Sequence, residues 1–240
     1  EPEDKVFPYV ESLLEFVDSI ALTEAHAGTE EKNRRIVSLG GSLTETLVAL
    51  GYGDQIVGVD TTSVYPPQVV KDYKRVGYVR QLSAEGILSL EPGLIISTDH
   101  AGPKMAVEQI RKSGVQFEEF SSQYSVEGTQ GVIRKVGKLL GEEQKAEAMV
   151  QDIGNKVTEA KSLSEGFKKK PRVLFIYARG SRILNISGHS TSAHAMIELA
   201  GGENAFGDIE GFKPMTSEAV VAAAPDAILM LARGVDSIGG

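Results

Sequence analysis

The amino-acid sequence predicts an α/β protein built from two lobes that a long helix joins. From Arg35 onward, short apolar runs alternate with stretches of helical spacing, a pattern typical of parallel strands covered by helices. About 40 residues in the middle of the chain show only helical spacing, and the alternation then restarts. A duplicated α/β unit of this kind has a cleft between its lobes, and clefts between domains are preferred ligand sites.

The composition is that of an ordinary globular protein, because 41% of the 240 residues are hydrophobic and 24% are charged. A net charge of -8 without a basic stripe argues against nucleic acid as a partner. The absence of cysteine excludes disulfides, thiolate metal sites and cysteine nucleophiles. An apolar run of about 18 residues, which would predict a membrane span, does not occur. Because the chain starts at Glu1 rather than Met, we expect a processed or trimmed N-terminus.

Residues 1–34 are predicted to form an N-terminal extension outside the two lobes. Apolar residues recur at helical spacing from Phe7 to Leu22, which predicts an amphipathic helix, and a polar linker follows from His26 to Arg35. Packing of this helix on the main body is favoured over binding of a partner.

The first lobe is predicted over residues 35–125, and its first strand ends at the Gly40-Gly41 turn. Ser42 and Glu45 have the spacing of a capping box, so a helix is expected to open there and to end at Gly51. An anion cradle formed by the two glycines is the alternative, but a tight strand-to-helix turn is favoured. Further strands or helices of this lobe are predicted over 55–59, 83–90, 94–97, 103–113 and 117–120.

Residues 126–167 show helical spacing without a strand pattern, and they are predicted to bridge the lobes. One long helix and two helices in series both stay open, because Gly141 and Gly154 each mark a place for a break. The second lobe is predicted over residues 168–240, with strands or helices over 172–177, 183–186, 190–200, 216–224 and 226–231.

The two lobes also resemble each other in sequence. Glu85 and Pro92 of the first lobe have the same separation as Glu218 and Pro225 of the second, and an apolar strand follows each pair. This internal similarity supports a duplicated α/β unit.

A turn-rich loop over residues 60–67 follows a short apolar run. It is therefore expected at the carboxyl end of a buried strand, where open α/β sheets usually bind ligands. Tyr65 precedes two prolines in this loop, which bias its backbone to an extended form and hold its side chain out from the loop. A tyrosinate in this position is a hard oxygen ligand suited to ferric haem. The competing interpretation is a tyrosine that packs or lies at the surface.

The other reactive residue types form no catalytic motif. The histidines lack a metal-ligand spacing such as HExxH, and neither a GxSxG elbow nor a Walker A loop is present. His100, in a loop after a predicted strand, is the histidine that best suits a pocket. Arg80, Arg179 and Lys213 lie in comparable loops, where they suit the carboxylates of a ligand at the rim of a cleft. A solvated surface charge is the alternative for each cation.

Several segments together resemble the periplasmic haem-binding proteins of bacterial ABC importers. These belong to the class of substrate-binding proteins that also carries cobalamin and ferric siderophores. The similarity begins at Arg35 and runs to the C-terminus. The pattern Thr-Thr-Ser before Tyr65-Pro66 and the pattern from Tyr78 to Gly86 resemble the haem branch in particular. The matching segments are 35–45, 58–63, 65–66, 76–80, 82–90, 101–103 and 211–214.

The resemblance implies two Rossmann-like lobes bridged by a long α-helix, with haem in the cleft between the lobes and Tyr65 as an axial ligand of its iron. Arg80 is then a contact of a propionate or of the phenolate, and a nearby cation lowers a tyrosine pKa from its usual value of about 10. The resemblance makes Arg179 and Lys213 cleft residues of the second lobe. Some relatives add an axial His, but the run Tyr177-Ala178-Arg179 contains none. We therefore expect five-coordinate iron or a sixth ligand that the sequence does not identify.

Proteins of this class dock on their permease through an acidic residue on each lobe. Glu45 is at the matching place on the first lobe, whereas His194 and Ala195 occupy the matching place on the second, with Glu198 nearby. The resemblance implies a monomeric periplasmic carrier that performs no reaction, takes haem as its cargo and hands it to an ABC importer permease. Relatives continue beyond the strand at 226–231, so we expect the second lobe to be incomplete in this chain.

Two other interpretations stay open. A ferric siderophore or a corrinoid could be the ligand of the same class of protein, in which case Tyr65 is incidental. From a different class, the chain could be a metal-dependent enzyme with a nitrogenase-like fold, or an enzyme that degrades haem. The lack of cysteine and of a histidine–carboxylate cluster argues against the metal-dependent enzyme.

Overall fold

The computed structural model of the chain describes residues 34–164, 169–178, 180 and 183–239. The helix expected from Phe7 to Leu22, most of the linker after it and Arg179 lie outside these residues.

The described chain divides into two compact units. The first comprises residues up to Ser122 together with Gly131–Ala148, and the second comprises Gln123–Gln130 together with the residues from Met149 onward. Each unit contains one β-sheet, and the predicted α/β fold with two lobes is confirmed.

The first unit is built on a parallel sheet. Its strands are β1 (Ile36–Leu39), β2 (Ile56–Val59), β3 (Leu94–Thr98) and β4 (Gln116–Phe120), in the spatial order β2-β1-β3-β4. The central strands β1 and β3 are almost wholly buried, as expected of apolar runs in a sheet that helices cover. Since every pair of neighbours is parallel, the carboxyl ends of the strands share one edge of the sheet.

Helices that follow these strands complete the core of the first unit. They are α1 (Gly41–Ala49), α2 (Pro67–Val70), α3 (Ala84–Leu88) and α4 (Lys104–Lys112). Leu39 and Ile95 of the sheet pack with Ile87 of α3 and Ile110 of α4 in one buried cluster. Burial of each such side chain contributes about 1.5–3 kcal/mol, so this cluster holds the helices against the sheet.

Helix α1 does not begin with the predicted capping box. It starts at Gly41, so Ser42 lies inside the helix and Gly40 is the N-cap. The acceptors come instead from the neighbouring loop: Gly40 N–H donates to Asp60 Oδ1 at 3.0 Å and Gly41 N–H donates to Thr62 Oγ1 at 3.2 Å. Because these amides are occupied, the tight turn is favoured over the anion cradle.

Residues 126–164 form two helices in series, one of the two alternatives that the sequence left open. They are α5 (Val126–Leu140) and α6 (Glu143–Ser164). The break lies at Gly141, whose φ of 71° is a conformation that glycine adopts without steric cost. The Arg134–Glu147 ion pair, with Nε 2.8 Å from Oε2, joins the two helices across the break.

The second unit has a mixed sheet rather than a simple repeat of the first. Its strands are β5 (Arg172–Ala178), β6 (Leu184–Ser187), β7 (Glu203–Asn204), β8 (Phe212–Pro214) and β9 (Ala227–Met230). The order is β7-β5-β6-β8, and β9 also pairs with β5. β5 is parallel to β7 and β9, whereas β6 is antiparallel to β5 and β8.

The strands expected over 172–177, 183–186 and 226–231 are confirmed as β5, β6 and β9. The strands β7 and β8 were missed, because each is very short and is defined by its pairing with a distant strand. The helices of this unit are α7 (Ser192–Leu199), α8 (Ser217–Ala223) and α9 (Ala232–Ser237). Within the described part of the chain, none of the helices has both the length and the apolar character needed to cross a membrane.

Candidate functional site

The carboxyl edge of the first sheet carries loops that hold three of the predicted site residues, Tyr65, Arg80 and His100. The loop after β2 contains Tyr65, the loop after β3 contains His100, and the turn after β1 contains Gly40. These loops share one edge because the three strands are parallel, with β1 between β2 and β3. This is the edge at which open α/β sheets usually bind ligands.

Tyr65 lies between β2 and α2, and its side chain is partly exposed. The peptide bond that joins it to Pro66 is cis. Pro66 is buried and is the N-cap of α2, where its carbonyl accepts from Val69 N–H at 3.1 Å and from Val70 N–H at 2.9 Å. The two prolines therefore end the loop by starting a helix directly after Tyr65.

Asp60, at the start of this loop, is a fully buried carboxylate. Its Oδ1 accepts from Gly40 N–H and from Ser63 Oγ, each at 3.0 Å, and its Oδ2 accepts from Thr62 N–H at 2.9 Å. Ser63 Oγ also lies 2.8 Å from Thr44 Oγ1 of α1. Burying a carboxylate is costly unless it is hydrogen-bonded, and here both oxygens have partners.

Arg75 holds the same loop from a second direction. Its Nη1 donates to the carbonyl of Asp60 at 3.1 Å and to the carbonyl of Ser63, and its Nη2 donates to the carbonyl of Val70 at 3.3 Å. The first two carbonyls precede Tyr65 in the chain and the third follows it. One guanidinium group therefore contacts the main chain on both sides of the tyrosine.

Arg80 lies on a turn that joins the Tyr65 and His100 loops. Gly77 accepts from Thr61 N–H at 2.9 Å on one side, and Val79 accepts from Gly102 N–H at 2.9 Å on the other. The turn is closed where Gln81 N–H donates to the carbonyl of Tyr78 at 2.7 Å. Arg80 is exposed on it. The structure thus brings Tyr65, Arg80 and His100 to one edge of one sheet.

His100 is exposed beside Asp99, with 3.7 Å between His100 Nδ1 and Asp99 Oδ1. Asp99 Oδ2 accepts from Ser121 Oγ at 3.2 Å and from Ser122 N–H at 3.1 Å, which ties the β3 loop to the β4 loop. Desolvation raises the pKa of Asp99, but hydrogen bonds from Ser122 and Ser121, together with the adjacent His100, outweigh this and hold that pKa below its usual value.

Loops at this edge carry a phenol, a guanidinium and an imidazole, the first on a partly exposed residue and the other two on exposed residues. A phenolate oxygen is a hard ligand for ferric iron, and the cations suit carboxylates. No cluster of three or more His, Cys, Asp or Glu side chains suited to a bare metal ion occurs in the residues that the structure describes.

Glu45 and Glu198, the predicted docking residues, both lie on exposed positions of helices that open after a strand, α1 and α7. The chain around the Glu45 carboxylate removes part of its water, and this desolvation raises the pKa of Glu45 above its usual value. Glu198 lines a surface groove with His194, whose Nδ1 lies 3.3 Å from Asn204 Nδ2.

In the second unit, Lys213 is exposed on β8. The register pairs Lys213 with Ile186 and Phe212 with Ser187, so the side chains of Phe212 and Lys213 leave opposite faces of the sheet. The Phe212 ring lies 5.8 Å from the ring of Tyr177, centroid to centroid, at 54°. Arg179, the other cleft residue that the resemblance implies for the second lobe, is outside the described residues.

Sequence reasoning missed Asp60 and Arg75, the two residues that hold the Tyr65 loop. Asp60 had a usable signal, because an aspartate whose side chain accepts from the amide two residues later is a common way to start a turn. Arg75 had none, since its acceptors lie 5, 12 and 15 residues away in the chain.

Comparison with known proteins places the chain in a family. Residues 36–238 match the family model described as "Periplasmic binding protein". A Bacillus subtilis protein named "Uncharacterized ABC transporter substrate-binding lipoprotein YvrC" is 30% identical over 206 residues, which are 83% of this chain and 64% of that protein. The chain thus spans 64% of the length of that relative. A "Vitamin B12-binding protein" of Vibrio campbellii is 25% identical over 198 residues, 81% of this chain and 70% of that protein.

Solved structures extend the similarity to the fold. The apo form of the periplasmic heme-binding protein RhuT from Roseiflexus sp. RS-1 is 41% identical with a TM-score of 0.84, covering 87% of this chain and 80% of that one. The periplasmic heme-binding protein BhuT, in complex with two hemes, is 36% identical with a TM-score of 0.82, covering 86% of this chain and 80% of that one.

Proposed function

This chain belongs to the periplasmic binding protein family, and from that premise we propose that it is an extracytoplasmic haem-binding protein. Its proposed task is to capture haem and to deliver it to the permease of an ABC importer. The name of the Bacillus relative refers to substrate binding for an ABC transporter, and both structures described above are named heme-binding proteins. In this proposal the protein is a carrier that binds haem as its cargo and catalyses no reaction.

One observation carries the proposal: Tyr65, Arg80 and His100 lie at the same edge of the first sheet. The turn of Arg80 is hydrogen-bonded to the loop of Tyr65 through Gly77 and to the loop of His100 through Val79. Haem presents a ferric iron and two propionate groups. A phenolate with neighbouring cations complements both features.

The proposed roles follow from the chemistry of each side chain. The Tyr65 phenolate is the axial ligand of the iron. Arg80 binds a propionate or stabilises the phenolate, and His100 contributes a second polar contact at the rim. The roles predicted for Arg179 and Lys213 as contacts from the second lobe stay predictions, as do those of Glu45 and Glu198 in docking on the permease.

An absorbance titration of the apoprotein with ferric haem tests this function. We expect a saturable Soret shift with the charge-transfer band of a phenolate-ligated ferric iron. Tyr65→Phe should remove that band, because it deletes the ligating oxygen and keeps the ring. Tyr73→Phe is the matched control, since the Tyr73 hydroxyl donates to the Gly53 carbonyl at 2.9 Å, before β2 and so at the opposite edge of the sheet.

The outcomes separate the ligand from the residue. A saturable shift that is the same in Tyr65→Phe and in the wild type would keep haem and discard the role of Tyr65. A titration without any saturable shift in the wild type would discard haem.

A corrinoid is the second candidate cargo, and the relative named as a vitamin B12-binding protein favours it. In that case cyanocobalamin, added to the apoprotein and followed by calorimetry, should bind equally to the wild type and to Tyr65→Phe. Binding of cyanocobalamin without binding of haem would put this candidate in first place.

A haem-degrading enzyme is separated from a carrier by one further measurement. Bound haem is followed by absorbance after a reductant is added in air. The carrier proposal expects the Soret band to persist, whereas turnover would bleach it.

A further inference from the structure

We propose that Asp60 and Arg75 are positioning residues for Tyr65. Neither is assigned a contact with the ligand; together they fix the main chain of the loop that carries the phenol. By doing so they set the strength and geometry of the bond between the phenolate and the haem iron. The inference rests on the proposed function and adds the residues on which its iron ligand depends.

The loop needs such support because regular structure does not provide it. Across the described residues 60–66 the chain forms neither helix nor strand, so ladder hydrogen bonds do not fix Tyr65. The position of the Tyr65 main chain therefore depends on contacts of the loop other than those of a helix or a strand. Functional groups generally need placement to within about 0.5 Å.

Asp60 supports the loop from the inside. Its carboxylate is fully buried, and its two oxygens accept from Gly40, Thr62 and Ser63. Gly40 is the N-cap of α1, so this hydrogen bond fixes the Tyr65 loop to the first helix of the unit. The other two contacts shape the loop itself, up to two residues before Tyr65.

Arg75 supports the loop from the other side. Its guanidinium is a rigid planar fork of N–H donors, and it reaches the carbonyls of Asp60 and Ser63 before the tyrosine and of Val70 after it. Arg75 is itself anchored, because its neighbours Lys74 and Val76 both make main-chain hydrogen bonds to Val59, at 2.8 and 2.9 Å. A lysine has one ammonium group and cannot span the three carbonyls in the same way.

The consequence for the ligand follows from the chemistry of metal sites. Partners that hold a metal ligand in place typically account for about 10–100-fold in metal affinity. Loss of Asp60 or Arg75 contacts should therefore weaken haem binding and change the phenolate-to-iron charge-transfer band, while the fold of the unit remains.

The test uses Asp60→Asn, Arg75→Gln and Arg75→Lys in the full chain, each titrated with ferric haem. We expect Asp60→Asn and Arg75→Gln to lower affinity by about 10–100-fold and to shift or weaken the charge-transfer band at saturation. Arg75→Lys should fall between Arg75→Gln and the wild type. Asp54→Asn, before β2, and Arg111→Gln, on α4, are the matched controls and should leave titration and spectrum unchanged.

A double-mutant cycle shows whether the effect passes through Tyr65. In a Tyr65→Phe background, Asp60→Asn and Arg75→Gln should cost no further affinity, because the group they position is gone. A merely structural role would give the same loss in both backgrounds, or a lower melting temperature with unchanged affinity and spectrum, and either result would overturn the inference.

If Asp60→Asn does not fold, Ser63→Ala takes its place, because it removes one hydrogen bond of the same carboxylate. Haem affinity and the charge-transfer band of Ser63→Ala and of the Arg75 variants then test the inference. Failure of the proposed function is distinguishable, since the wild type would then show no Tyr65-dependent haem spectrum. A wild type with that spectrum and unaffected positioning variants would sink this inference alone.

Discussion

The buried carboxylate of Asp60 accepts a hydrogen bond from the main-chain N–H of Gly40 at 3.0 Å, and this contact joins the loop of Tyr65 to the turn where α1 begins. Gly40 has a φ of 142°, which L side chains rarely adopt. A Cβ at this position would also lie 2.6 Å from Thr98 Cγ2. The contact with Asp60 therefore depends on glycine at position 40 for two separate reasons.

Gly40→Ala should destabilise the apoprotein by about 2–4 kcal/mol, because it causes both backbone strain at a positive φ and a steric clash with Thr98. Thermal unfolding followed by circular dichroism should show a melting temperature lower by roughly 5–10 °C. Gly114→Ala is the control, because Gly114 also has a positive φ of 84° but no atom of the described chain lies within 4 Å of its added Cβ. An equal decrease in melting temperature in the two variants would contradict the expected clash with Thr98.

Arg80→Gln should weaken haem binding about fivefold, or about 1 kcal/mol, because Arg80 is exposed and solvent screens its interaction with a propionate. The loss should shrink as salt is raised from about 0.05 M to about 0.5 M, where the screening length falls below about 5 Å. Haem titrations at both salt concentrations measure this.

The control for Arg80 is Arg111→Gln, which removes an arginine that lies over Phe117 and pairs with Glu119. A loss in Arg80→Gln that is independent of salt would point to packing of the aliphatic stem instead of charge. Unchanged affinity at low salt would remove Arg80 from the site.

Glu45→Gln should change the pH dependence of stability in a fixed direction. The folded-state pKa of Glu45 is raised by desolvation, so the stability linked to this group is fully present below the unfolded pKa and is lost as pH rises through the folded pKa. Glutamine does not ionise. The melting temperature of the variant relative to wild type should therefore rise from about pH 4 to about pH 7.

Asp99→Asn should change the pH dependence of stability in the opposite direction to Glu45→Gln. The pKa of Asp99 is lowered in the folded state, so its contribution is present above the unfolded pKa and is lost as pH falls through the folded pKa. This variant should therefore be less stable than wild type at neutral pH and should approach it on acidification. The same sign of change in both variants would contradict the pKa directions of these two carboxyl groups.

The pKa of Tyr73 should lie well above that of an ordinary tyrosine. Burial, followed by the nearby charge of Asp54, raises the pKa of Tyr73 to about 12. Ultraviolet titration of the apoprotein, with Tyr73→Phe subtracted, isolates this phenol. Asp54→Asn removes the smaller of the two causes and should lower the pKa part of the way towards about 10. A pKa of about 10 for Tyr73 in the wild type would contradict the burial of this ring.

The residues of the candidate site show how far the sequence could lead. Tyr65 and His100 were proposed as site residues because each lies in a loop after an apolar run, and strand ends are visible in local periodicity. Arg80 was also expected in such a loop, but it lies on a turn that follows no strand directly. The capping box at Ser42 was wrong because the acceptors for that helix end come from Asp60 and Thr62, which follow in the chain only after another strand begins. A local pattern does not show such an exchange of partners.

The sequence by itself determined the α/β class, the order of most strands and helices and the loop on which Tyr65 lies, because apolar spacing and turn residues act over a few positions. Only the tertiary structure decided the mixed second sheet, the break between α5 and α6 and the support of the Tyr65 loop. Those features depend on contacts between residues far apart in the chain, such as Arg75 with the carbonyl of Asp60 and β6 with β8. Forming such contacts costs the entropy of closing long loops, and the packing and hydrogen bonds of the whole arrangement offset this cost, which local spacing does not encode.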